Sequence, residues 1–147
     1  MSREYPDRPV VGVGAVVWRG ERVLLIRRGK PPRAGQWSLP GGAQQLGETL
    51  LEAVTREVRE ETGLPLESVR FLTTVDLVDR QPDGRVRYHY TLVDFTAEAP
   101  KGEAVAGDDA VAIGWFTVAE LADLGLWSET LRIVGEAAAL RAGRGEP

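Results

Sequence analysis

Glu57, Glu60 and Glu61 fall at positions i, i+3 and i+4 of a segment marked at both ends as a helix. Thr49-x-x-Glu52 has the form of a capping box, and Gly63 followed by Pro65 has the form of a helix stop. Between them Leu50, Leu51, Val54 and Val58 make an apolar stripe. At about 100° per residue the three carboxylates share a sector of roughly 100°. With Leu50 as zero the stripe centres near ~55°, Glu61 near ~20°, Glu57 near ~−20° and Glu60 near ~−80°. The acids therefore border the buried face rather than oppose it. Like charges at this spacing repel unless a partner separates them, and a surface helix normally alternates signs. The pattern predicts acids lining a cleft, where hard oxygen ligands suit Mg²⁺ or Mn²⁺ bridging to phosphates. A solvated acidic face is the alternative.

The flanking segments predict a mixed α/β domain over residues 1–147. Val10–Trp18 and Val23–Arg28 read as strands joined by a turn at Arg19-Gly20-Glu21. Gly29–Pro40 reads as a basic, Pro- and Gly-rich loop ending in an extended Gln36–Leu39, and residues 41–47 as an irregular glycine-rich stretch. Val69–Val78 and Val86–Phe95 predict a hairpin around Gln81-Pro-Asp-Gly-Arg85. A polar loop at Ala97–Asp109 is expected to be the mobile segment, before a strand at Ala110–Thr117 and helical turns at 118–124 and 128–141. There is no internal repeat. The sheet should be interrupted and mostly antiparallel.

Composition excludes several chemistries. The chain has no cysteine and one histidine, His89, so thiolate sites, cysteine nucleophiles, a histidine-only metal cage and H-E-x-x-H chemistry are absent. His89, between Tyr88 and Tyr90, reads as a packed or surface residue rather than a base. A net charge of −4 gives no general attraction to nucleic acid polymers or anionic lipid. The longest apolar stretch, Val10–Trp18, is too short to span a membrane, and the N-terminus lacks a signal-peptide core, so a cytoplasmic location is expected. All but Lys30 and Lys101 of the 18 basic residues are arginine, a bias read as genome composition. Gly42-x-x-x-x-Gly47 continues as Glu48-Thr49 instead of Lys-Ser/Thr, so it is not a P-loop. Gly12-x-Gly14 lacks the third glycine and following helix of a dinucleotide-binding turn, and no EF-hand loop exists.

Gly42, Glu48, Arg56-Glu57, Val58, Glu60-Glu61, Gly63 and Leu64 stand at spacings that match the complete Nudix box. Trp37-Ser-Leu-Pro-Gly-Gly42 before it and Trp115-Phe-x-x-x-Glu120-Leu121 near the end also resemble the Nudix hydrolase family. The resemblance implies an αβα sandwich and metal-dependent cleavage of the pyrophosphate of a nucleoside diphosphate derivative. Transferred by position, it makes Glu57, Glu60 and Glu61 ligands of Mg²⁺ or Mn²⁺, joined by the backbone carbonyl of Gly41 or Gly42. Arg56 would orient a glutamate. Glu48 would support the loop through Arg56 or add a ligand, and a purely structural ion pair between the two is equally open. Gly63 reads as the helix stop.

The family often uses a fourth acid from the loop before the last strand, and Glu103, Asp108 and Asp109 are the candidates, each alternatively a solvated loop residue. Arg27, Arg28, Lys30 and Arg33 offer cations to phosphates or a terminal ribose, or else form a solvated strand end. Trp37 could stack on a base or support the glycine-rich loop. Trp18, Trp115 and Trp127 read as core or interface residues. The resemblance favours ADP-ribose and similar nucleotide sugars, although Val78-Asp79 stand where such enzymes often carry a proline. A house-cleaning (deoxy)nucleoside triphosphate pyrophosphatase is the alternative within enzymes, and a non-catalytic nucleotide-sensing domain the alternative outside them. The expected partner is a small nucleotide, and the resemblance allows a homodimer.

Overall fold

The computed structural model describes residues 3–31, 33–107 and 109–143. Strands β1 (Val10–Arg19), β2 (Arg22–Arg28), β3 (Trp37–Ser38) and β4 (Gly41–Ala43) lead into helix α1 (Leu50–Thr62). Strands β5 (Glu67–Arg80), β6 (Val86–Glu98) and β7 (Ala110–Thr117) follow, then the short α2 (Val118–Leu121) and α3 (Ser128–Gly143). Helical turns predicted to 124 stop at Leu121. The stretch at 41–47, read as irregular, begins with strand β4.

β1 is the centre. Along one edge it runs parallel to β6, from Val10 opposite Tyr90 to Trp18 opposite Glu98. Its other edge is shared: Gly12–Gly14 pair with β4, while Trp18 and Arg19 pair with β2. β2 then carries β3 and β7 antiparallel, and β5 completes the far side against β6. Two strands leaving one edge at different heights splay the sheet and open a gap between β4 and β2. The pairing is mostly antiparallel, as the sequence predicted, with β1–β6 the parallel exception.

Both faces are covered, which is why β1 and β2 read as nearly unbroken apolar runs. Val13, Ala15, Val17, Leu24, Val93 and Phe95 pack with Ala53, Val54 and Val58 of α1. Val16, Trp18, Val23, Leu25 and Val75 pack with Leu121, Ile133, Val134 and Ala137. The result is the αβα sandwich. Leu51, counted in the helical stripe, is instead 53% exposed, while Leu50 one position earlier packs on the core. No helix among the described residues is long and apolar enough to cross a membrane.

Leu24 is fully buried where β2 meets the α1 face. Leu24→Ala should cost about 2–5 kcal/mol by leaving a cavity, readable as a lower urea midpoint with an unchanged slope.

Candidate active site

Helix α1 is fixed at both ends. The Thr49 Oγ1 accepts from Glu52 N at 3.1 Å, and Thr49 N donates to the Glu52 carboxylate at 2.8 Å. Gly63 closes the helix in the left-handed region, φ 74°, its N–H donating to Arg59 O. Two more last-turn carbonyls are satisfied by the following loop: Gly107 N donates to Glu61 O at 2.8 Å and Val105 N to Thr62 O at 2.9 Å. Gly107 must be glycine there, because a Cβ would strike Glu60 O. The loop expected to be mobile is thus docked on the helix end, and it carries Asp109 to the site.

Arg56 organises the acids. Its Nε and Nη2 make a fork to the two Glu48 oxygens at 2.6 and 2.9 Å. Nη2 also donates to Ala43 O in β4 at 3.0 Å, and Nη1 donates to Glu57 at 2.9 Å and Glu60 at 3.2 Å. Glu48 accepts from Gln45 N as well, at 2.8 Å. Both Glu48 oxygens are engaged within the loop, so it supports the site through Arg56. These bonds hold the Glu48 carboxyl below the usual range, the Arg56 contact contributing most. The same contact raises the already basic guanidinium.

The three acids differ in depth. Glu61 is buried at 7% exposure and accepts from Gly41 N at 2.9 Å. Burial pushes its pKa up to about 7, with the neighbouring Glu57 charge adding to the rise and the Gly41 bond opposing it. Glu57 is half-buried, and burial raises it too, against the pull of Arg56. Its carboxyl lies against Gly42 so closely that no Cβ would fit there. Glu60 stands at the rim, its side chain 59% exposed.

Glu57 and Glu61 line a cavity of about 450 Å³ in the gap of the sheet. Arg28, Lys30, Arg33, Trp37 and Asp109 line it as well, with Lys30 Nζ 2.8 Å from Asp109. Trp37 is held edge-on by Phe116, ring centroids 5.2 Å apart. Arg27 does not line the cavity; its Nε donates to Gly35 O at 3.0 Å, because strand alternation turns it away from Arg28. Glu103 and His89 are also absent from the wall, and Asp108 lies outside the described residues. Trp127, read as a core or interface residue, lines the cavity with the Arg33 guanidinium 4.6 Å from its ring. Trp18 is core, as expected, and donates to Thr96 Oγ1 at 3.0 Å.

Sequence reasoning missed Asp94 of β6, 5% exposed on the cavity wall, whose pKa burial raises to about 6. The only signal for it was an acid flanked by Leu92, Val93 and Phe95 within a strand.

Among the described residues no group of three or more Asp, Glu, His or Cys side chains is gathered closely enough to hold a metal ion. Two acids raised by burial on one wall, with a third at the rim and no side chain between Gly42 and Glu57, nevertheless fit a cation that keeps several waters.

The sequence model of the NUDIX domain matches residues 8–134. A protein named ADP-ribose pyrophosphatase from Methanocaldococcus jannaschii is 37% identical over 79% of this chain, and the match spans 66% of that relative, just under two thirds of its length. A putative 8-oxo-dGTP diphosphatase 2 from Mycobacterium tuberculosis is 40% identical over 78% of this chain and 77% of its own. The crystal structure of a MutT NUDIX hydrolase from Burkholderia pseudomallei superposes with TM-score 0.78 at 35% identity, covering 88% of this chain and 98% of that one.

Glu61 holds its proton to about pH 7 in the fold, well above an ordinary exposed glutamate. A raised carboxyl contributes stability fully below the unfolded value and loses it as pH climbs through the folded one. Glu61→Gln should therefore stabilise the protein at pH 8 in chelator, by up to about 3 kcal/mol. The gain should vanish near pH 4, as read from denaturant midpoints at both pH values.

Proposed function

We propose that this chain, which belongs to the NUDIX domain family, hydrolyses the pyrophosphate bond of a nucleoside diphosphate derivative with Mg²⁺ or Mn²⁺ bound. The observation that carries this reading is one cavity wall shared by Glu57, Glu61, Asp109, Arg28, Lys30 and Trp37. Glu57, Glu60 and Glu61 would hold the cation, with the Gly41 carbonyl as a further ligand. A bound divalent ion neutralises phosphate oxygens and makes a coordinated water more acidic. Arg56 Nη1 donates to both Glu57 and Glu60 and so ties the two carboxylates together, and Glu48 keeps Arg56 in place. Asp109 lies outside that ligand set and adds a fourth acid to the wall, 2.8 Å from Lys30. Lys30 and Arg28 bind the phosphates, and Trp37 offers a ring face to the base or ribose.

ADP-ribose and similar nucleotide sugars are the first substrate class, in keeping with the archaeal relative's name. (Deoxy)nucleoside triphosphates are the second, in keeping with the mycobacterial one. Both present the same diphosphate to the same acids. A nucleotide-sensing role without cleavage is separated from either by product formation.

The test is a panel of ADP-ribose, nucleotide sugars and nucleoside triphosphates, scored for AMP, ribose phosphate and pyrophosphate with Mg²⁺, Mn²⁺ or chelator. Turnover should require the metal. Glu60→Gln and Glu61→Gln should each lose at least ~100-fold in kcat while keeping the circular dichroism of the parent. Full activity in either variant overturns the ligand assignment, and full activity in chelator overturns the metal.

A further inference from the structure

A second cavity, of about 390 Å³, adjoins the one that holds the acids. Pro31, Arg33, Leu77 and Trp127 belong to both linings, and Asp79 and Tyr88 to the second alone. Strand register accounts for the floor. Asp79 of β5 stands opposite Tyr88 of β6, so the two side chains leave the same face of the sheet, and Leu77 two residues earlier shares it. The loop that brings Lys30 to the acidic cavity continues through Pro31 and carries Arg33 at φ 62°, in the left-handed region that non-glycine residues seldom adopt. There the Arg33 guanidinium lies 4.6 Å from the Trp127 ring. Chain order thus leads from the cations beside the acids to the second space.

Tyr88 is 5% exposed, and neither its hydroxyl nor the half-buried Asp79 carboxylate makes a hydrogen bond with a described residue. Buried polar groups are ordinarily bonded, so a lining that leaves a phenol and a carboxylate idle suits an occupant that brings its own donors and acceptors. The Arg33 side chain likewise makes no hydrogen bond or ion pair with a described residue. Burial and the Arg28 charge lower its basicity and the Asp79 charge opposes them, yet no salt bridge joins Arg33 to Asp79. The two charges attract without touching. An anionic occupant would meet Asp79 and a cationic one Arg33, whereas a hydroxyl donates to the carboxylate and accepts from the guanidinium at once. Pro31, Leu77 and the Trp127 indole add apolar surface for the C–H face of a ring.

Resting on the proposed pyrophosphate hydrolysis, we infer that the second cavity is the subsite for a neutral polyhydroxylated group beyond the diphosphate, a ribose or hexose, with Asp79 accepting from its hydroxyls and Tyr88 and Arg33 donating to them. Arg28 and Lys30 hold the diphosphate beside the acids, and Arg33, three residues beyond Lys30, opens the sugar's space. The assignment puts nucleoside diphosphate sugars ahead of nucleoside triphosphates. A triphosphate has no ring to satisfy Asp79 and Tyr88, and it carries further negative charge toward Asp79. The base takes no part in this selection.

Calorimetric titration of the full chain in chelator tests this without turnover. The probes are ADP-ribose, UDP-glucose and GDP-mannose, each set against the β-methyl ester of its own nucleoside diphosphate, which keeps the charge and lacks the ring. The parent should bind at least one sugar about 10- to 100-fold tighter than its methyl ester, the size of a hydrogen bond to a charged group. Asp79→Ala and Tyr88→Phe should each cut that ratio by about 5-fold or more and leave methyl-ester affinity unchanged. A merely structural role would weaken sugar and ester alike. A ratio near parity for every pair in the parent, or a ratio untouched in both variants, overturns the inference. Should Asp79→Ala lose the circular dichroism of the parent, Asp79→Asn keeps the shape with one acceptor fewer and should lower the ratio in its place. An unchanged ratio there and in Tyr88→Phe also overturns it. A sugar preference without metal-dependent cleavage of any diphosphate would sink the proposed activity and leave the subsite standing. Cleavage by a protein that binds sugar and ester equally would do the reverse.

Discussion

The Arg56 guanidinium ties a loop, a strand and a helix to one another, and the acidic wall depends on that joint. Five bonds radiate from one planar group: two to Glu48, one to the Ala43 carbonyl, and one each to Glu57 and Glu60. The rigid fork of an arginine suits this work, whereas a lysine would offer a point charge without direction. Its charge also offsets acids that would otherwise repel along one helix face. Because Ala43 belongs to β4 and β4 pairs with Gly12–Gly14 of β1, the joint also sets the height of the helix over the central strand.

The depth of the acids follows from this arrangement. Glu61 sits over Gly41 at the seam between helix and sheet, Glu57 fills the space above Gly42, and Glu60 looks outward. Burial raises the two inner carboxyls, so protons and a divalent ion would compete for the same oxygens. Asp109 reaches the wall because the loop before β7 supplies donors that the end of α1 lacks. The same two bonds therefore finish a helix and deliver an acid.

Much of this was readable from residue order. The helix limits, the capping box and the graded placement of the glutamates follow from a period of 3.6, and the structure keeps them. The last strand was placed residue for residue at Ala110–Thr117. Other features depend on partners far away in the chain. β4 is three residues of Gly-Gly-Ala, which carry no strand pattern and become a strand only because β1 offers an edge. Leu51 fits the helical stripe but is turned about 100° from Leu50, which packs on the core, and is left 53% exposed. Arg27 and Arg28 look equivalent in sequence, and strand alternation sends one to Gly35 and the other to the cavity. Asp94 of β6 and Trp127, just before α3, meet at the cavity although they are far apart in the chain.

The parallel union of β1 with β6 joins segments far apart in the chain, as the Trp18–Thr96 bond across 78 residues illustrates. Such a closure is slow, since chain entropy must be lost before the long-range contact repays it. On a ribosome, β1 would emerge early and wait for most of the chain before gaining its neighbour on that side. Until β6 arrives, the apolar β1 keeps that edge unpaired, and the rate of β6 arrival sets how long that lasts.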